Sequence, residues 1–244
     1  MIAAVPGQHA PLLSIAITAS GLLPLCLLVA RPIRPPAPPP FQRTDVAGAL
    51  LAALALFLGY QVAIGLSMGR GDLAGVVAGA AALALAAGIG RLPLRRVMRP
   101  VGGPLRRAGV GLLLAWAALP LVFGTAYLVE RYGGEGTQEV VDRLQNRGPG
   151  WLGLAFIASV VAPIVEEVGF RGLLYPALRQ WRGPWVATAL TAVLFALVHE
   201  PATTWAPLAI LACFLAYSVE ATGSVLPAIA GHAAFNALTV LQLL

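Results

Sequence analysis

Residues 151–174 read WLGLAFIASVVAPIVEEVGFRGLL: fifteen residues without an ionisable side chain, followed by Glu166, Glu167 and Arg171. A helix crossing a bilayer needs roughly 20 mostly apolar residues. The run therefore predicts a span over about 151–167, with a connecting helix over 169–182 behind it. Ionisable groups at membrane depth cost about 2.5–3.5 kcal/mol each on an insertion scale. Two adjacent carboxylates at the end of such a run need partners or a task.

Working outward, the same apolar texture recurs along the chain. Only 11% of the 244 residues are charged, against about 25% in soluble domains, and the mean hydropathy is +0.83. Further spans are predicted over about 12–30, 46–66, 73–89, 110–129, 184–199, 207–221 and 224–243, giving about eight. The fold class is an all-α, polytopic transmembrane helical bundle with a buried polar cavity in its C-terminal half. The 12–30 run lacks a preceding basic region and is expected to be a retained span. Residues 31–43 form a proline-rich linker in which regular helix is excluded. Gly75 and Gly79 are spaced for close helix packing. Thr137 is placed to cap a short surface helix with Glu139 in its first turn and Val140, Val141 and Leu144 as its apolar stripe.

The net charge is +6, and every basic residue is arginine. An arginine-only, Ala/Gly/Pro-rich chain points to a GC-rich, bacterial genome. The arginines lie in short loops between apolar runs, which is the pattern of membrane topology and not of nucleic-acid binding. Twelve of the sixteen arginines follow the first, third and fifth spans, so those loops are expected in the cytoplasm and both termini outside. Cys26 and Cys213 lie in apolar runs and read as buried small hydrophobes. The tryptophans at 151, 181, 185 and 205 fall at span ends as interfacial anchors.

Three polar clusters interrupt the C-terminal half. In the first, Glu167 and Arg171 stand four apart on one helix face and form a natural pair. That leaves Glu166, about 100° round the helix, to face a cavity as a general base. Arg171 is also within reach of Glu166. In the second, Phe195 lies one turn before His199 and can pack on its imidazole. In the third, His232 and Asn236 share one face of an apolar span, so lipid offers them no partner and they face the bundle interior. A carboxylate, two imidazoles, an amide and an ion pair suit activation of a water and stabilisation of an oxyanion. No Gly-rich nucleotide loop and no GxSxG serine is present. Glu200, before Pro201, reads as a solvated loop residue, and Glu220 as a residue that could line the cavity.

Glu166-Glu167-xxx-Arg171, Phe195-xxx-His199 and His232-xxx-Asn236, in that order, resemble the motifs of the CPBP family of intramembrane proteases. That family includes the type II CAAX prenyl endopeptidases and Abi-like proteins. The resemblance spans residues 151–244, a protease-like core, while residues 1–150 supply N-terminal transmembrane helices and the surface helix. It implies an endopeptidase in a bacterial plasma membrane, cutting peptide or protein substrates near the membrane surface. Glu166 and His199 would activate water, His232 and Asn236 would stabilise the oxyanion, and Glu167 with Arg171 would orient the site. The family carries a metalloprotease label, and Glu166, His199 and His232 would supply three zinc ligands. HExxH spacing is absent, and a metal-free Glu/His mechanism is equally compatible. Bacteria generally lack prenylated CAAX proteins, so the resemblance leaves the substrate open, with peptide maturation and bacteriocin immunity as roles. The competing expectation is a non-enzymatic membrane scaffold or immunity protein in which the same clusters clamp helices. A transporter would show broken helices and repeat symmetry, which the sequence lacks.

Overall fold

The computed structural model describes residues 11–33, 46–67, 77–86, 88, 98, 100–133, 136, 138–147 and 150–243. Among them every regular element is helical. In chain order these are α1 (Pro11–Ser20), α2 (Leu22–Ala30), α3 (Val46–Ser67) and α4 (Val77–Ala86). They continue with α5 (Pro104–Gly133), α6 (Glu139–Gln145), α7 (Trp151–Phe156), α8 (Ala162–Glu167), α9 (Tyr175–Leu197), α10 (Trp205–Thr222) and α11 (Leu226–Leu243). Four helical stretches are long and apolar enough to cross a membrane: Pro104–Gly133, Trp151–Leu197, Ala202–Thr222 and Leu226–Leu243. Ile15–Ala30, Ala47–Val62 and Val77–Ala86 are shorter apolar helices. Among the described residues the predicted apolar runs fall mainly on helices, but by length four described helices qualify as spans where eight were expected.

The expected break after Glu167 does not occur. Helix runs unbroken from Trp151 through two π-helical stretches, Ile157–Val161 and Val168–Leu174. The turn comes at Gly183, with φ 81° and ψ 175°. Only glycine enters that backbone region without strain, and Pro184 bars its predecessor from helical geometry. Glu166 precedes this break by seventeen residues and His199 follows it by sixteen. At 1.5 Å per residue each leg is about 24 Å, so the returning arm brings His199 back to the depth of Glu166. Placing Glu166 at a span end put these two residues on opposite membrane faces. Placing it mid-helix brings them together.

α5 packs along α10 and α11, around a core that includes Phe123, Phe170, Phe195 and Phe235. Gly111 and Gly231 form its closest crossing. A methyl group on Gly111 would fall on the Pro227 carbonyl, and one on Gly231 would stand 2.6 Å from the Gly111 carbonyl oxygen. Backbone cannot yield as a side-chain end can, so Gly111→Ala must push α11 outward. We expect it to cost about 1–3 kcal/mol, read as a lower melting temperature in detergent, with a larger loss of any activity that depends on His232.

Large apolar side chains such as Leu51, Leu58, Leu128 and Val198 are exposed around the bundle, as suits a surface solvated by lipid. Cys26 and Cys213 lie on this outer surface and are not buried, since hydropathy does not separate a lipid-facing position from a core one. Trp181 and Trp185 are exposed beside the Gly183 break, and the Arg182 guanidinium stands 4.3 Å from the centre of the Trp181 ring. α6 lays Val141 and Leu144 against Ala158 and Val240. Its N-cap residue is Gln138, which makes no side-chain capping bond. Thr137 and Gly75 lie outside the described residues, as does most of the 31–43 linker. Gly79 brings α4 against Val161.

Candidate active site

Glu167 is the hub of the buried network. Its Oε1 accepts from Arg171 Nη1 at 2.9 Å and from His232 Nδ1 at 2.8 Å. All three side chains are fully buried. Arg171 donates its other terminal nitrogen to the Ala212 carbonyl at 3.1 Å and lays its guanidinium 4.6 Å from the centre of the Phe195 ring. The structure therefore pairs Arg171 with Glu167, four residues away. Its position depends on the π-helical Val168–Leu174, whose wider turn re-aims side chains within a continuous helix. Gly169 leaves that stretch bare of a side chain where the Phe57 ring of α3 packs.

With Nδ1 of His232 donating to Glu167, Nε2 is the ring atom left to the rest of the site. That atom lies 3.9 Å from Glu166 Oε2. His199 is arranged in the same way. Its Nδ1 donates to the Phe195 carbonyl at 2.6 Å, and its Nε2 lies 3.8 Å from the same Glu166 oxygen. The ring also rests on Phe195, centroid to centroid 4.9 Å. His199 sits in the turn beyond the Trp151–Leu197 span. Burial pushes its imidazole below the usual histidine range, against the opposing pull of the Glu166 carboxylate. Glu166 and His199 are the slightly open members, with side chains 10% and 11% exposed. His232 and Asn236 are closed off.

Asn236 donates from Nδ2 to the Ala158 carbonyl at 2.8 Å, on the first π-helical stretch. Thus Glu166, Glu167, Arg171, His199 and His232 gather at one centre, with Phe195 as its floor. Asn236 stands one turn beyond His232, tied to the wall of α7 and its π continuation. Glu220 is not part of this group. It is buried and bonded by the Tyr175 hydroxyl at 2.7 Å and by Arg179. Glu200 is exposed.

Sequence reading missed the two carbonyls, of Ala212 and Ala158, because a main-chain acceptor has no residue signature. It also missed the Tyr175–Arg179–Glu220 cluster. The i, i+4 spacing of Tyr175 and Arg179 was visible, but their partner on α10 was not.

Two imidazole nitrogens and a carboxylate are a donor set that suits zinc. Ligands of a tetrahedral zinc, each near 2.0–2.1 Å from the metal, stand about 3.3 Å from one another. The separations of 3.8 and 3.9 Å are wider, and among the described residues no group of three or more His, Cys, Asp or Glu is gathered to hold a metal ion. The side chains as they stand do not fit a bound zinc.

The fold and this centre define a class: a multi-helix membrane protein with a buried, converging carboxylate–imidazole site. Residues 148–238 match the family described as Type II CAAX prenyl endopeptidase Rce1-like, which agrees with the CPBP resemblance of the motifs. The match covers a little over a third of the chain and contains all seven motif residues. It supports a protease acting on peptide or protein in a membrane setting. No curated protein and no solved structure matches the chain.

Proposed function

We propose that the protein is an intramembrane endopeptidase of a bacterial plasma membrane that hydrolyses peptide bonds with a water activated by Glu166 and His199. The observation that carries this reading is the convergence of both imidazole Nε2 atoms on one Glu166 oxygen, with both Nδ1 atoms already committed to fixed acceptors. A carboxylate oxygen and two imidazole nitrogens at this spacing leave a place for a water that can bond to all three. Glu166 takes the proton as the water oxygen attacks the scissile carbonyl carbon. The carbonyl π electrons move to oxygen, giving a tetrahedral oxyanion. The C–N bond then breaks, and the proton returns to the departing amine.

In this reading Asn236, and His232 when it carries a proton on Nε2, donate to the oxyanion. Glu167 holds His232 in orientation, and Arg171 holds Glu167. We expect cleavage to persist in the presence of a strong chelator. Loss of cleavage on chelation, restored by zinc, would instead assign Glu166, His199 and His232 as ligands that draw together around a metal.

The competing reading, a scaffold or immunity protein, is favoured by the complete burial of Glu167, Arg171 and His232, which would serve equally as an interhelical clamp. Cleavage of a diverse peptide pool, prenylated and unprenylated, by protein purified into lipid separates the two. The protease reading expects products that vanish with Glu166→Gln. The clamp reading expects no products and a lowered melting temperature.

A further inference from the structure

Three segments meet at one end of the bundle. α2 stops before Arg31, the returning arm of α9 starts at Pro184, and α10 ends at Thr222. Tyr217 of α10 donates its hydroxyl to the Ile33 carbonyl, which fixes the chain leaving α2 against α10. Between the three lies a cavity of about 840 Å³, within the range of about 300–1,000 Å³ typical of ligand sites. Pro32 lines it from the first segment, Pro184 and Trp185 from the second, and Cys213 and Phe214 from the third. It follows α10 from Cys213 to Glu220, a length of about 10 Å.

This cavity is separate from the candidate active site. Ala212, whose carbonyl holds Arg171, is fully buried on the inner face of α10. The next residue, Cys213, is exposed and faces the cavity, so α10 stands between the two. Glu220, the acid in the lining, is already bonded by Tyr175 and Arg179, and the rest of the interior suits hydrocarbon.

The rim is basic. Arg31 is exposed and adjoins Pro32, and Arg182 is exposed two residues before Pro184. Arg106 and Arg107 belong to the same end, because the Val101 N–H donates to the Thr222 carbonyl at 2.8 Å and Arg107 donates to the Ser224 hydroxyl at 3.0 Å. Among the described residues, the acids outside the buried clusters, Glu130, Glu139, Asp142 and Glu200, lie towards the other end, where α5 finishes and the Gly136 carbonyl meets Thr203. An arginine-rich end is expected on the cytoplasmic side, against the leaflet that carries anionic lipids. Trp181 and Trp185 are exposed beside the rim, as aromatic residues at headgroup level are.

We propose that this cavity is a binding site for an anionic phospholipid, with an acyl chain between Trp185 and Phe214 and the phosphate at Arg31 and Arg182. Hydrocarbon fills the apolar interior, and arginine offers phosphate a planar fork of donors. The site is independent of the endopeptidase reading.

Full-length protein in phosphatidylcholine vesicles, with a trace of phosphatidylglycerol or phosphatidylcholine carrying a diazirine on its acyl chain, tests it. After photolysis, peptide mass spectrometry locates the label. Phosphatidylglycerol should label the peptides holding Trp185 and Cys213–Phe214 at least about tenfold more than phosphatidylcholine does, the scale of two arginines at an anionic surface. Arg31→Gln with Arg182→Gln should remove that excess at an unchanged melting temperature. Ala189→Trp, which fills the cavity from α9 and leaves the arginines in place, should also remove it. Equal labelling by the two lipids, or an excess that survives the double arginine variant, would overturn the proposal. Displacement of the label by a farnesylated peptide but not by unlabelled phosphatidylglycerol would give the cavity to the lipid group of a substrate and overturn it as well.

Discussion

Glu166→Gln should abolish peptide cleavage, by at least a hundred-fold and up to about ten-thousand-fold, while the melting temperature stays level or rises. The substitution keeps the shape of a side chain that faces two imidazole nitrogens and removes its ability to take a proton. A carboxylate held largely out of water at this depth is a burden on folding, and active-site residues commonly trade stability for activity. Cleavage rates and thermal unfolding of the two proteins in the same lipid check it. A large fall in both quantities would place Glu166 among the structural residues instead.

The second large effect is expected at Arg171, and here stability should fall. Arg171→Ala would leave the Glu167 carboxylate fully buried with only His232 beside it. Removing one partner of a buried ion pair costs about 3–5 kcal/mol, and the Ala212 carbonyl and the face of Phe195 lose their cation as well. Replacing both partners, Glu167→Gln with Arg171→Met, should restore most of the melting temperature, because no unpaired charge remains. Activity should stay low in the double variant, since His232 loses the carboxylate that fixes its ring. Recovery of stability without recovery of cleavage separates the orienting role from a merely structural one.

The contrast between Glu166 and Glu167 was already present in the spacing of the first motif. Four residues separate Glu167 from Arg171, and one helix face joins them. Phe195 beneath His199 was readable for the same reason, as was the inward turn of His232 and Asn236, for which lipid offers no partner. What local spacing does not encode is how far a helix continues through a charged segment. Glu166, Glu167 and Arg171 looked like a span end because isolated charges end spans. Here each is met by groups from α9, α10, α11 or the His199 turn, so the helix continues through π-helical turns to Arg182. The Gly183–Pro184 pair was the stronger stop signal. The exposure of Cys26 and Cys213 was illegible for a related reason, since lipid and protein interior are both apolar.

In the proposed mechanism Glu166 and His199 form one water-activating unit. A double-mutant cycle with Glu166→Gln and His199→Ala, read as kcat/KM for a single peptide in lipid vesicles, tests it most directly. Residues acting as a unit are strongly non-additive, so the double variant should be about as slow as the worse single variant. Losses that multiply, or either single variant cleaving at the wild-type rate, would contradict the account.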